Sequence, residues 1–142
     1  MSFNKFMRLS SKGLFLVLAV FLVFNTNCFG GSDTYIEKDL TKIQLEPSLH
    51  NGKPTLADFG WRNCIPCKKM KPVLEELAEK QRGQLNVLIV EVYDHEDLTD
   101  QYSIKIIPTQ VLFDSQGKEI MRHQGYWAPE EIALELKKIG VN

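Results

Sequence analysis

Cysteine is scarce in this chain: 142 residues carry three, and Cys28 stands well apart from Cys64 and Cys67. Secreted domains that depend on disulfides for stability usually hold several bridges, so a disulfide scaffold is excluded. A structural zinc site is poorly supplied too, because tetrahedral zinc needs four ligands. No second Cys pair exists, and His50, His95 and His123 are isolated from one another. Charge of one sign is also missing. Seventeen Lys and Arg oppose eighteen Asp and Glu for a formal net charge of -1, and no clustered basic surface is visible of the kind that neutralises phosphates. No nucleic-acid partner is expected. The longest unbroken apolar run, Leu14 to Phe24, falls short of the ~20 residues that span a bilayer. Internal repeats and low-complexity tracts are absent. What remains, 44% hydrophobic and 25% charged residues, is the composition of an ordinary soluble globular protein, long enough for one domain and too short for two.

The first thirty residues differ from the rest. Lys5, Arg8 and Lys12 precede the apolar run, and Asn25, Thr26 and Asn27 end it. Basic, apolar and polar segments in that order make a secretory signal peptide, and the run has no polar face with which to sit on a small domain. Residues 1–30 are therefore expected to be a signal peptide or an N-terminal membrane anchor, and any membrane contact is expected through this segment alone. Three fates stay open: cleavage before Gly31, lipidation at Cys28, or retention as an anchor. Residues 31–52 read as a polar lead-in with at most a short helix around Tyr35 to Ile43, and residues 53–142 as the functional domain.

Within that domain, Thr55 to Trp61 reads as a short buried strand. The Cys-x-x-Cys follows directly, and then Met70, Val73, Leu74, Leu77 and Ala78 recur at helical spacing. Pro72 lies inside this helix, removes one backbone hydrogen bond and is expected to bend it. Gly83 sits in a polar break. Leu85 to Val92 is nearly continuous apolar sequence, as in a central strand covered on both faces. Asp94 to Tyr102 reads as a short acidic helix, and Thr109 to Phe113 as a strand. Asp114-Ser115-Gln116-Gly117 reads as a turn returning Lys118 to His123 as an edge strand. Pro129 opens a last helix that stops near Gly140.

Cysteine attacks as the thiolate, whereas a free thiol of pKa ~8.5 is mostly protonated at neutral pH. Cys64 precedes a helix, whose unpaired amides and dipole favour negative charge on its sulfur; Lys68 and Lys69 add positive charge. Cys67 lies one turn on, placed to attack a mixed disulfide formed at Cys64, and Pro66 stiffens the short connection. The competing readings are half of a zinc site and an inert structural disulfide, although so short a loop returns little entropy. Asp58, between Ala57 and Phe59 in an apolar strand, is costly unless it has a partner or a task.

Asp58-Phe59, Cys64-Ile65-Pro66-Cys67-Lys68, Pro72 within the helix, and Ile107-Pro108-Thr109 followed by a hairpin and Gly125 together resemble the thioredoxin family from about Lys53 to the C-terminus. The resemblance implies an α/β, thioredoxin-like fold with a central mixed β-sheet flanked by helices. By position it makes Cys64 the nucleophile, Cys67 the resolving thiol, Asp58 the carboxylate that handles the Cys67 proton, and Pro108 a cis proline beside the disulfide. The Ile107 backbone would pair with an extended substrate segment, and Thr109, Trp61 and Pro66 would complete that surface. Asn63 and Ile65 replace the Trp and Gly that flank the first Cys in thioredoxins. The strand from Leu85 to Val92 carries Glu91 and no lysine. The potential and partner surface are therefore expected to differ from those of a general cytosolic thioredoxin.

These features imply an enzyme without cofactor or metal: a monomeric, exported, periplasmic or otherwise extracytoplasmic thiol–disulfide oxidoreductase. Its expected partners are cysteine-containing protein substrates and a membrane thiol reductase that supplies electrons. Pro66 and Ile107 favour the reducing direction, for instance in cytochrome c maturation or disulfide repair. The alternatives are a disulfide oxidase or isomerase, and a non-catalytic binding module that uses the same fold.

Overall fold

The computed structural model describes residues 44–142. The expected signal or anchor segment and the expected helix around Tyr35 to Ile43 lie outside the described residues. The elements in chain order are α1 Leu45–Leu49, β1 Thr55–Gly60, α2 Ile65–Lys80, β2 Asn86–Glu91, α3 Glu96–Gln101, β3 Thr109–Phe113, β4 Glu119–Gln124 and α4 Pro129–Lys138. Apart from α1, this is the succession of strands and helices read from the sequence.

Among the described residues the strands form one sheet in the order β2-β1-β3-β4. β1 runs parallel to β2 and antiparallel to β3, and β3 antiparallel to β4, so the sheet is mixed. Side chains alternate faces along each strand. On one face Leu56, Val87, Ile89 and Leu112 meet Met70 and Leu74 of α2 and Ile132 and Leu136 of α4. On the other, Ala57, Phe59, Leu88, Val90, Val111 and Phe113 meet Leu45 and Leu49 of α1, with Leu98 and Tyr102 packed against them. All six residues of β1 are buried.

The expectation of a central strand over Leu85 to Val92 is corrected in one respect. Among the described residues β2 is the outer strand next to β1, and β1 is the one flanked on both sides. A continuous apolar run reports that both faces are covered. It carries no information on hydrogen-bonded neighbours, so β1 and β2 look alike in sequence.

α2 runs unbroken through Pro72, whose ring nitrogen leaves the carbonyl one turn earlier without its usual donor. The β3–β4 turn is tied by the Asp114 carboxylate, which accepts from the amides of Gln116 at 2.8 Å and Lys118 at 3.0 Å. Its Gly117 has φ 76, and a Cβ there would lie 2.9 Å from the Leu49 carbonyl oxygen. The hairpin tip thus rests against α1, a contact only glycine allows.

Candidate active site

β1 ends at Gly60 and α2 begins at Ile65, and the four residues between them turn the chain over the C-terminal edge of the sheet. The Cys64 amide donates to the Trp61 carbonyl at 2.9 Å. Cys64 is then the N-cap of α2, extended at φ -80 and ψ 125, and its sulfur accepts the Cys67 amide at 3.4 Å. One of the orphan donors of the helix therefore points at this sulfur and favours negative charge on it. Pro66 occupies the first turn, where a missing N–H costs no hydrogen bond.

The two sulfurs are bridged, with Cα atoms 5.2 Å apart, and their surroundings differ. Cys64 is half-buried, while Cys67 is 8% exposed. An incoming group therefore meets Cys64 first. Ile65, 71% exposed, stands beside it.

Under Cys67 lies Asp58, 2% exposed. Its pKa rises from 3.8 to about 7, chiefly because burial penalises the charged form. The hydrogen bond from Gln110 works against that rise, and the charge of Glu91 adds to it. A Cβ built on Gly60 would sit 3.3 Å from Asp58 Oδ2 and 3.4 Å from Cys67 Sγ, so carboxyl and sulfur border the same small space. That space opens into a cavity of about 270 Å³ whose lining includes Asp58, Trp61, Cys67, Lys71 and Glu91. A carboxyl poised near neutrality beside a thiol is suited to proton transfer.

The other residues named from the sequence divide. Trp61 lines this cavity and packs edge-on against Tyr93, centroids 5.2 Å apart. The Ile107–Pro108 bond is cis. Pairing of Phe59 with Thr109 sets Pro108 at the end of the sheet from which the cysteines depart, and its carbonyl accepts from the Gly125 amide at 2.8 Å. Ile107 packs against the core on the α1 side. Thr109 is buried, and its hydroxyl donates to the Ile106 carbonyl at 2.6 Å, which commits that side chain within the protein. Of two aromatics beyond the hairpin that the sequence reading did not use, Tyr126 is exposed, whereas Trp127 is buried and stacked on His123 at 4.9 Å.

Sequence reasoning missed Gln110. It lies directly opposite Asp58 in the β1–β3 register and its Nε2 donates to Asp58 Oδ1 at 2.6 Å. The signal was present, since an amide in the apolar run Thr109 to Phe113 is as anomalous as Asp58 in β1. The roles of Arg62 and Glu91 were missed as well. The Arg62 amide donates to Glu91 Oε2 at 3.1 Å and its guanidinium pairs with Asp94, tying the loop before Cys64 to the end of β2.

A reachable sulfur that can open to a thiolate, a sheltered partner one turn away, and a nearby proton acceptor permit one reaction above all, the exchange of this disulfide with another. The protein is a thiol–disulfide oxidoreductase of α/β architecture. A family model described as a thioredoxin-like domain matches residues 42–140, and the chain belongs to the thioredoxin family. It is 33% identical over 100 residues to a thioredoxin of Alicyclobacillus acidocaldarius, covering 70% of this chain and 94% of that one. It is likewise 33% identical over 85 residues to a thioredoxin-like protein of Synechocystis, covering 60% and 80%. A solved structure of a mutant thioredoxin from Halobacterium salinarum superposes with a TM-score of 0.63 at 26% identity, covering 70% of this chain and 87% of that one.

Proposed function

We propose that the protein works outside the cytoplasm as a dithiol reductant of protein disulfides. The observation that carries the chemistry is the unequal burial of the bridged pair, with Cys64 reachable at the helix start and Cys67 sheltered above Asp58.

In the reduced state the Cys64 thiolate attacks one sulfur of a substrate disulfide. A new S–S bond forms to Cys64, and the other substrate sulfur leaves as a thiolate that takes a proton. Cys67 gives its proton to Asp58 and attacks the Cys64 sulfur, which closes the Cys64–Cys67 bond and releases the second substrate thiolate. Two electrons pass from the dithiol to the substrate. An external dithiol must restore the pair, and a membrane thiol reductase fits a protein tethered or delivered by residues 1–30. By the family resemblance, the Ile107 backbone beside the buried cis Pro108, together with exposed Ile65, would frame the surface on which an extended substrate segment lies.

Export rests on the basic, apolar and polar order of the N-terminal segment, and the reducing direction on Pro66 and Ile107. The test of direction is the equilibrium potential of the Cys64/Cys67 pair in a thiol buffer of defined composition. A value near the about -270 mV of thioredoxin supports a reductant, whereas a value near the about -120 mV of a strong periplasmic oxidant would reverse the electron flow.

A further inference from the structure

The proposed mechanism asks Asp58 to exist in two states, ionised before it takes the Cys67 proton and neutral after. A buried carboxyl that cycles in this way needs a neighbour able to serve both. A lysine has only donors, whereas a primary amide has two donors and a carbonyl acceptor. Gln110 is completely buried, 0% exposed, on the strand opposite Asp58. Its Nε2 holds Asp58 Oδ1 at 2.6 Å while its own Oε1, also buried, has no hydrogen-bond partner among the described residues. An orphaned buried acceptor is costly. Here it sits on the same amide group that grips the carboxylate, where half a turn of the amide would offer it to the protonated acid.

We propose that Gln110 is a positioning residue for proton transfer: its amide fixes Asp58 Oδ1 so that Oδ2 stays on the Cys67 side, and it partners the carboxyl in both protonation states. This rests on the reading of Asp58 as the acceptor of the Cys67 proton. The geometry is consistent throughout, since the anchored oxygen is Oδ1 and the one that borders the space beside Cys67 Sγ is Oδ2. The other charged groups around the carboxyl do not replace this contact. From α2, Lys68 and Lys71 line the cavity with Cys67, and Lys71 is 4.0 Å from Glu75. Arg62 pairs with Glu91 and Asp94, and Glu91 on β2 carries like charge. On the far side of Gln110, His123 of β4 occupies the next place in the same row across the sheet.

Three measurements on the full chain test this. In the wild-type oxidised protein the Gln110 side-chain amide protons should shift with pH along the titration of the Asp58 carboxyl, followed by carbon NMR. An amide that ignores that titration overturns the proposal without any variant having to fold. Gln110→Met keeps the shape and removes both polar atoms. The midpoint of Asp58 should then rise by about one pH unit, because a bond that favours the charged form is lost. The midpoint for disulfide reduction should rise by the same amount, and reduction at pH 7 should slow several-fold. A Gln110→Met protein with both midpoints unmoved overturns the positioning role and leaves Asp58 its own. Asp58→Asn separates the two ideas: it should abolish the inflection near neutrality. A profile unchanged by Asp58→Asn would overturn the proton-acceptor reading and, with it, the task assigned to Gln110.

Discussion

Asp58→Asn should make this protein more stable, and by an amount that depends on pH. Below the ordinary carboxyl pKa of ~3.9, Asp58 is neutral both folded and unfolded and contributes no difference. Between there and about 7 the folded protein still holds the proton that the unfolded chain has released. Stability therefore falls as pH rises through this window, and above about 7 the full cost of a buried anion is present. A rise from 3.8 to about 7, at ~1.4 kcal/mol per pH unit, corresponds to about 4 kcal/mol. Asparagine does not ionise, has the same outline, and can donate to the partnerless Oε1 of Gln110. Urea unfolding of the oxidised protein should show the variant ahead of wild type by about 4 kcal/mol at pH 8, a midpoint shift of ~2 M for a slope of about 2 kcal/mol per molar. At pH 4 the two curves should nearly coincide. An advantage equal at pH 4 and pH 8, or a less stable variant at pH 8, would refute the reasoning that burial raises this carboxyl.

Two further outcomes follow from other parts of the molecule. Cys67→Ser, incubated reduced with a protein disulfide substrate, should accumulate a covalent adduct at Cys64 detectable by mass spectrometry; adducts formed equally well by Cys64→Ser would show that neither sulfur is the preferred nucleophile. Gly117→Ala should destabilise the fold by about 1–3 kcal/mol in chemical unfolding, since it places a methyl group against the Leu49 carbonyl at positive φ, and an unchanged midpoint would mean that the hairpin tip moves freely away from α1.

The parts of the protein that were legible in its sequence are those fixed by neighbours along the chain. Cys64 and Cys67 are three positions apart at a strand-to-helix change, so spacing alone placed both sulfurs on one helical turn. Asp58 stood out because a carboxylate between Ala57 and Phe59 contradicts its surroundings. Gln110 contradicts its surroundings as plainly, yet 52 positions separate it from Asp58, and a neutral amide suggests no chemistry until the β1–β3 register sets it opposite an acid. The outer position of β2 was hidden for the same reason, since strand order is a property of pairing and not of any one strand. α1 escaped notice because five residues, without a side-chain cap, leave almost no periodic signal.

The bridge between Cys64 and Cys67 closes a loop only three positions long, within the first turn of α2. So small a loop removes little freedom from the unfolded chain, and the layers packed on Leu56, Leu74 and Phe59 do not depend on it. The two packed layers therefore do not include the bridge among the contacts that hold them together. The exchange of electrons is thus placed at the rim of the sheet, on a turn of chain apart from the side chains that carry the core.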